Sequence, residues 1–416
     1  MITWANLRSS AAPWLLLPAL LYTGLYIDDV TYTAQSGYGV ESGELASYGL
    51  AVIAPAAAGA AAWDAGRHRL LGAVGTTGAR RLAQRLLWAA APALALQCVL
   101  TAGALVMARR AVGVWPSGAG WLAVAHLFVL PLGWLAIGWL LGGLLPRSVA
   151  APAAGIGCWA WLSVPHTLAN AWMRHLGGFV DGTSTVTDVR DPAVYLVPWL
   201  VVSCLALSLW PVVSLRRRAA GLVVGVLAVA LTLITGRMLV AEWGYQRPTS
   251  PRAVALTCSG ESPKVCVPPE YEPYVEQLRK DALAPLDRLR AAGVTPPREL
   301  RITSSGVSVE SGTWPLYWSL PPLRSQTDVH QYRADLARSA VVGTAGSAEA
   351  TGCPPASLPT AWAMLVMGMD ESLVRERMLP ADWSSLQGIR RLSAQRQADW
   401  FGEAAVNRNH CPQART

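Results

Sequence analysis

The stretch 63-WDAGRHRLLGAVGTTGARRLAQR-85 places five arginines and one histidine between two long apolar runs. Most of the first 240 residues consists of such runs, rich in alanine, leucine and valine, whereas residues 241–416 alternate polar and apolar positions. Across the 416 residues, 52% are hydrophobic and 14% are charged, while soluble domains carry roughly 25% charged residues. The composition therefore indicates a membrane protein whose last part folds in water.

Seven runs are long enough to span a bilayer, since crossing about 30 Å of hydrocarbon needs roughly 20 apolar residues. The first run resembles a signal peptide because Arg8 precedes its apolar core. The stretch 27-IDDVTYT-33 offers no small-x-small cleavage site, however, so an uncleaved span is favoured. The predicted spans are 11–27, 46–63, 86–108, 120–145, 149–170, 193–214 and 219–240.

Arginines in the connections set the orientation, because cytoplasmic connections of membrane proteins are enriched in Lys and Arg. With a cytoplasmic N-terminus, ten arginines of the membrane part lie inside and five outside, and seven of its eight acids lie outside. Seven spans then deliver the C-terminal part to the outside of a cell membrane. The inside arginines are Arg8, Arg67, Arg69, Arg80, Arg81, Arg85, Arg147, Arg216, Arg217 and Arg218. The outside charges include Glu41, Glu44, Arg174, Asp181 and Arg190.

The predicted fold is a polytopic α-helical membrane protein of about seven transmembrane helices followed by a small disulfide-bonded α+β extracytoplasmic domain. The transmembrane domain covers 1–240, a polar proline-bearing linker covers 241–252, and the outer domain covers 253–416. A short strand is predicted at 253–258 and a strand or hairpin at 300–312. Helices are predicted at 270–292 (ended by Gly293), 327–342, 357–369, 371–378 and 385–406.

Four cysteines of the outer domain indicate disulfides, because extracytoplasmic compartments are oxidising. Four cysteines allow three pairings. We favour Cys258–Cys266 with Cys353–Cys411, since each bond then brackets one segment. A zinc site is disfavoured, because the chain has no CxxC pair and His410 has no second histidine near it.

The common catalytic signatures are absent. A Walker A motif is excluded because neither lysine follows a glycine: Lys264 follows Pro263 and Lys280 follows Arg279. HExxH and GxSxG are also missing. We therefore expect no enzymatic activity, cofactor or metal. His126 and His166 are the ionisable residues well within the apolar runs, and we interpret both as packing histidines rather than proton relays.

Nucleic acid is not an expected partner, although the net charge is +8. Residues 241–416 carry 19 Lys and Arg against 18 Asp and Glu, and the membrane part carries the remaining 15 against 8. The positive excess thus lies at membrane boundaries rather than on one soluble face. Any energy for transport would come from another subunit, since the predicted spans carry no acid in their middle.

The basic segment 64–85 is longer than a turn requires. An apolar patch, 70-LLGAV-74, separates its two basic clusters, and Gly75 to Gly78 make a break after which a helix starts near Ala79. This pattern predicts a short surface helix able to dock on a partner. The expected partner contacts are Asp64, Arg67, Arg69, Arg80, Arg81 and Arg85, with Leu70, Leu71 and Val74 as the buried patch.

The stretch 61-AAWDAGRHRLLGAVGTTGARRLAQRLLWAA-90 resembles the coupling region of actinobacterial ABC transporter permeases of the type 2 exporter class. The C-terminal part, through 258-CSGESPKVCVPPEY-271 and the ending from Trp400 to Cys411, resembles the extracytoplasmic tail of a subset of these permeases. The resemblance implies a permease subunit that pairs with a second copy or a second permease in the lipid bilayer. It also implies a separately encoded ABC ATPase as partner.

The chain departs from that class in one respect, because the class usually has six spans with both ends inside, whereas seven are counted here. Without a span at 219–240 the cysteines would be cytoplasmic; the arginines at 216–218 favour the seventh crossing. Two other functions remain open. The chain is alternatively a membrane-anchored sensor or envelope-assembly protein acting through its outer domain, or, third, an outer-facing enzyme.

Overall fold

A computed structural model describes residues 8–30, 37–68, 79–182, 184, 186–214, 218–245, 247–303, 310–316, 326–345 and 357–407. The chain is mostly helical and divides into two compact units. The helical unit comprises Met1–Ser184 and Val189–Ser250, and the C-terminal unit comprises Thr185–Asp188 and Pro251–Thr416.

The helical unit consists of apolar helices packed around a core rich in alanine, leucine and valine. A two-stranded sheet pairs β1 (Asp188–Arg190) with β2 (Thr249–Pro251), and a 3₁₀ turn covers Val164–Thr167. The helices are α1 Ala12–Val30, α2 Gly39–Ser47, α3 Leu50–His68, α4 Ala79–Val112, α5 Gly120–Leu144, α6 Arg147–Ser163, α7 Ala171–Gly177, α8 Ala193–Ser214 and α9 Arg218–Val240.

In the described part of the chain, four helical segments are long and apolar enough to cross a membrane: 89–112, 120–144, 193–212 and 219–240. These match four predicted spans. The predicted span 46–63 covers most of α3. Helices α2 and α3 form a pair bent by 44° at the break between them, and this pair makes a fifth candidate if it counts as one span. The other two predictions, 11–27 and 149–170, correspond to α1 and α6. Helix α1 carries Asp28 and Asp29 in its last turn, and α6 has only 17 residues.

Helices α3 and α5 pack with almost no side-chain volume between them. A Cβ atom added to Gly138 would lie 2.2 Å from the carbonyl oxygen of Ala58, and one added to Gly142 would lie 2.2 Å from that of Ala62. Two small residues four apart on each helix let the backbones approach closely, as at small-xxx-small interfaces of membrane helices. Gly43 of α2 meets Gly120 of α5 in the same way.

The outer surface of the helical unit is apolar, in contrast to a water-soluble bundle. On α1, Trp14 is 76% exposed and Leu25 is 70% exposed, and on α9 Val226 is 66% exposed and Met238 is 75% exposed. Large contiguous apolar surfaces are rare on soluble monomers and are expected where helices face lipid. Exposure and hydropathy therefore agree that this unit is a bundle of membrane type.

The C-terminal unit is an α+β domain built on a four-stranded sheet. The strand order is β3–β4–β5–β6, with β3 antiparallel to β4 and the other neighbours parallel. Helix α10 connects β4 to β5, and Trp362, Tyr271 and Phe401 fill the core. The elements are β3 Thr257–Ser259, β4 Lys264–Val267, α10 Val275–Ala291, β5 Glu299–Ile302, β6 Thr313–Leu316, α11 Gln326–Thr344, α12 Ser357–Val366, α13 Glu371–Glu376, α14 Pro380–Arg390 and α15 Ala394–Asn407, with a 3₁₀ helix at Pro269–Tyr274.

Two sequence predictions for this unit have clear outcomes. Gly293 follows α10 with φ +91°, which confirms the predicted helix end, because a left-handed residue after a helix favours glycine. The prediction of a single helix at 385–406 was wrong. Two helices, α14 and α15, meet at residues 391–393, where Ser393 is a residue type preferred before a helix start.

We predict that Gly138→Ala destabilises the helical unit by about 1–3 kcal/mol, because the added methyl group must displace the backbone of α3. Gly157→Ala is the matched control, since Gly157 also lies in an apolar helix and has no atom within 4 Å of its Cβ position. Thermal unfolding of the detergent-purified protein is the measurement. Equal midpoints for the two variants would contradict the packing argument.

A second prediction concerns Asp335 in α11, whose pKa is raised by burial to about 6 although Gln331 donates to its carboxylate and Arg338 and Arg377 lower it. A raised carboxyl pKa means that this group favours folding most below its ordinary pKa of 3.8 and loses that contribution as pH rises through about 6. Asp335→Asn should therefore stabilise the unit at pH 7.5, by about 1–3 kcal/mol.

Hydrogen–deuterium exchange of peptides covering 326–345, corrected for intrinsic exchange rates, measures this effect in the whole chain. Protection should rise in the variant at pH 7.5 and stay unchanged near pH 4. The exposed Asp399 provides the control substitution Asp399→Asn. Weaker protection of Asp335→Asn at pH 7.5 would refute the assignment.

Candidate functional site

The two ends of the predicted coupling segment, 64–85, belong to described helices. Helix α3 continues to His68, and α4 begins at Ala79, which confirms the predicted helix start. The backbone of Arg67 belongs to the last turn of α3, and the backbones of Arg80, Arg81 and Arg85 belong to the first turns of α4. Arg69, Leu70, Leu71 and Val74 lie outside the described residues, so the predicted surface helix stays a prediction.

Asp64 needs a correction. Its place in the basic segment predicted a partner contact, but the side chain is buried to 1% exposure, and Ser10 Oγ donates a hydrogen bond to its Oδ2 at 2.7 Å. Next to it, Trp63 Nε1 donates to the carbonyl oxygen of Ser9 at 3.4 Å, and the Arg147 guanidinium lies 5.0 Å from the Trp63 ring centroid. We call these five residues the helix-end joint, because they tie together the start of α1, the end of α3 and the start of α6.

The disulfide Cys258–Cys266 is present, as predicted. The two cysteines are directly opposite each other in the antiparallel pair of β3 and β4, with Cα atoms 4.1 Å apart. Cys353 and Cys411 lie outside the described residues, so their pairing stays a prediction. Among the described residues, no group of His, Cys, Asp and Glu side chains could hold a metal ion.

A buried ion pair lies in the helical unit where the sequence analysis saw only topology-setting charges. Glu44 of α2 is 1% exposed, and Arg190 of β1 donates from Nε to its Oε1 at 2.9 Å. Ser184 donates to the same carboxylate through its hydroxyl group, at 2.7 Å, and through its backbone N–H. Tyr195 OH completes the set at 3.4 Å. A buried carboxylate requires such pairing, because desolvation of an unpaired charge is very costly.

Asp181 forms the second centre of the same cluster. Arg247 donates to its carboxylate, and Arg174 Nη2 and His166 Nδ1 lie 3.5 and 3.6 Å from its Oδ2. Burial alone would raise the pKa of Asp181, but the hydrogen bond with His166 and the charge of Arg247 outweigh it and hold that pKa well below its usual range. Burial lowers the pKa of Arg247, opposed by Asp181, yet a guanidinium group stays charged at neutral pH.

Three arginines from different segments line one pocket of about 330 Å³. Arg174 comes from α7, Arg190 from β1, and Arg247 from the stretch before β2. We call it the arginine pocket; its other lining side chains are those of Asp181, Ser184, Tyr245 and Thr249. All of them belong to the helical unit.

His126 is a packing residue, as the sequence analysis predicted. Its Nε2 lies 2.7 Å from the carbonyl oxygen of Gly178, so Nε2 must carry the hydrogen, and its Nδ1 accepts a hydrogen bond from Trp199 Nε1 at 2.7 Å. Both ring nitrogens are thus used in a neutral ring with no exposed surface. His166 was expected inside a span, but it lies in the 3₁₀ turn after α6, against Phe179.

The C-terminal unit carries a separate cleft of about 600 Å³. It lies between the residues preceding β5 and β6 and helices α11 and α15, with Arg298, Trp314 and Phe401 in its lining. The position is the amino edge of the parallel strands, whereas ligands of open α/β sheets usually bind at the carboxyl edge. The cleft can admit a ligand but shows no convergent catalytic groups among its lining residues.

The residues of the arginine pocket were missed because their partners are far apart in sequence: Glu44 and Arg190 are separated by 146 positions. One local signal was available. The segment 39-GVESGELAS-47 places two acids among small residues directly before an apolar run. Small residues permit close backbone packing, which buries whatever side chains they neighbour.

The fold and the site together define a class: a helical bundle of membrane type followed by a disulfide-bonded α+β domain. A family model described as "Domain of unknown function (DUF7224)" matches residues 265–411, within the C-terminal unit. No curated protein and no solved structure matches the chain.

We predict that Glu44→Gln destabilises the helical unit by about 3 kcal/mol, because it leaves the Arg190 charge buried and uncompensated. The exposed Glu242 supplies the control, Glu242→Gln. The double variant Glu44→Gln/Arg190→Gln should lose clearly less stability than the sum of the single variants, since residues in contact are coupled. Additive losses in thermal unfolding would show that the two side chains do not interact.

Proposed function

We propose that this chain is the membrane-spanning permease subunit of an ABC transporter, driven by a separately encoded ATPase that docks on residues 63–85. The resemblance at 61–90 and the membrane-type bundle support the proposal. The observation that carries it is the helix-end joint, because this joint lies where α3 leads into the predicted docking segment.

The joint gives a route for mechanical coupling. The buried hydrogen bond between Ser10 and Asp64 fixes α1 to α3, and Arg147 stacked on Trp63 fixes α6 to the same place. A partner that pushed on the segment after His68 would therefore move α1, α3 and α6 together rather than α3 alone. Since packed helices transmit displacement as rigid elements, ATP-driven closure of the partner would tilt the bundle.

The proposed arrangement assigns roles to the predicted docking residues, to the termini and to the oligomer. Arg67, Arg69, Arg80, Arg81 and Arg85 would contact the ATPase. The patch of Leu70, Leu71 and Val74 would be buried there, while Asp64 acts within the chain at the joint. A cytoplasmic N-terminus, seven spans and an extracytoplasmic C-terminal unit with Cys353–Cys411 complete the arrangement. The subunit would act as a homodimer or with a second permease in the cell membrane.

The cleft of the C-terminal unit favours a second candidate, a membrane-anchored sensor or envelope-assembly protein. In that case the bundle would serve as an anchor and the cleft would bind a ligand or an envelope component. The two candidates differ in one requirement, because only the permease needs an ATPase bound at residues 63–85.

The test is co-purification of the full chain with an ATPase encoded beside it. We predict that Arg67→Glu/Arg69→Glu reduces the recovered ATPase at least about tenfold, because like charges placed in a contact repel. Arg80, Arg81 and Arg85 remain in this variant and keep the segment on its predicted side of the membrane.

Arg109→Glu/Arg110→Glu is the matched control, since it makes the same charge change at the other end of α4. This control should co-purify with the ATPase like the unaltered chain. Unchanged ATPase recovery with Arg67→Glu/Arg69→Glu, or an ATPase that never associates, would reject the permease proposal and leave the sensor candidate.

A further inference from the structure

The arginine pocket holds more positive charge than its own acids neutralise. Among the ion pairs of the described residues, Arg174, Arg190 and Arg247 share two carboxylates, Glu44 and Asp181, so three positive charges meet two negative ones. Arg190 and Arg247 are only 7% and 8% exposed. Each arginine has a carboxylate partner, but the cluster keeps a net positive charge beside a pocket, and such a charge attracts an anionic ligand.

Most guanidinium donors around the pocket already bond within the chain. Beside the carboxylates, the acceptors are the carbonyl oxygens of Gly182 for Arg190, Phe179 for Arg247 and Tyr245 for Arg174. Glu44 uses Arg190 Nε, and Asp181 shares Arg174 and Arg247. The buried Nε of Arg174 has no acceptor among the described residues. Asp181 itself is 47% exposed, so the pocket is open on the side of Asp181.

The number of guanidinium groups in the lining indicates the chemistry of the ligand. The three guanidinium groups come from three separate chain segments and line the pocket together. A carboxylate offers two oxygens in one plane, whereas a phosphate offers oxygens in tetrahedral directions. Planar guanidinium groups bind phosphate oxygens in pairs, with charge-assisted hydrogen bonds. The volume of about 330 Å³ also leaves room for a group attached to the phosphate.

We infer that the arginine pocket is a binding site for a phosphate group, carried either by the headgroup of an anionic lipid or by a soluble phosphate ester. None of the residues that line the pocket belongs to 63–85, so this inference does not rest on the ATPase. An aromatic ring lines the pocket, that of Tyr245. Such rings are enriched at headgroup level in membrane proteins, which makes the lipid source testable beside the soluble one.

The test uses Thr249→Glu in the full chain. Thr249 lines the pocket on an exposed strand and takes part in no ion pair, so the variant adds a negative charge without removing an internal contact. Glutamine at the same position, Thr249→Gln, matches the size without the charge. Ser250→Glu places the same charge on the opposite face of β2, since successive strand residues alternate faces.

Two kinds of probe distinguish the sources. Inorganic phosphate and glycerol phosphate are titrated into the detergent-purified protein by calorimetry. Retention of phosphatidylglycerol against phosphatidylcholine is measured by native mass spectrometry after reconstitution in nanodiscs. We expect Thr249→Glu to weaken binding about tenfold or more, while Thr249→Gln and Ser250→Glu remain within about twofold of the unaltered chain.

Loss confined to phosphatidylglycerol supports the pocket with a lipid headgroup as its ligand, and loss confined to the soluble probes supports it with a soluble ester. A second variant, Arg174→Gln, should also weaken binding, whereas Arg237→Gln, whose guanidinium lies over Trp172 rather than in the pocket, should not. No binding of any probe, or equal affinities of Thr249→Glu and Thr249→Gln, would overturn the inference.

Discussion

The close approach of α3 and α5 is the constraint on which the rest of the helical unit depends. Where Gly138 and Gly142 face Ala58 and Ala62, the two backbones meet with no side chain between them. Gly43 and Gly120 extend this contact onto α2. Association of membrane helices relies on such packing, because lipid is as apolar as the side chains and gives no hydrophobic drive.

This packing explains why a charged residue is tolerated in the interior. Helix α2 is buried along its whole length, so the Glu44 side chain has no route to solvent and must find its partners inside. Arg190 and Ser184 supply them from segments about 140 residues further along the chain. The pair therefore fixes the loop before α8 to the bent helix pair, and the arginine pocket forms as a consequence of that attachment.

Hydropathy and local signals predicted the elements whose cause is local. Long apolar runs located α4, α5, α8 and α9, Gly293 marked the end of α10, and the Thr/Gly break located the start of α4 at Ala79. The bend between α2 and α3 was not predictable in this way, because it depends on how closely α5 can approach. Charge counting placed Glu44 and Arg190 outside on topological grounds, and it could not detect that they pair across the fold.

Helix α3 connects the two regions that the functional proposals concern. Its last turns carry Trp63 and Asp64 of the helix-end joint, at the start of residues 63–85, and its first turn follows α2, which carries Glu44, after a 44° bend. Nineteen helical residues extend about 28 Å, so the two ends are far apart yet rigidly joined. Under the proposed function, a push at the docking segment would shift α3 along the glycine contacts of α5 and change the angle of α2. The Glu44–Arg190 pair is the interaction that such a change strains first, since its hydrogen bonds depend on geometry more strictly than apolar packing does. The arginine pocket and the coupling segment would then respond to each other through one helix.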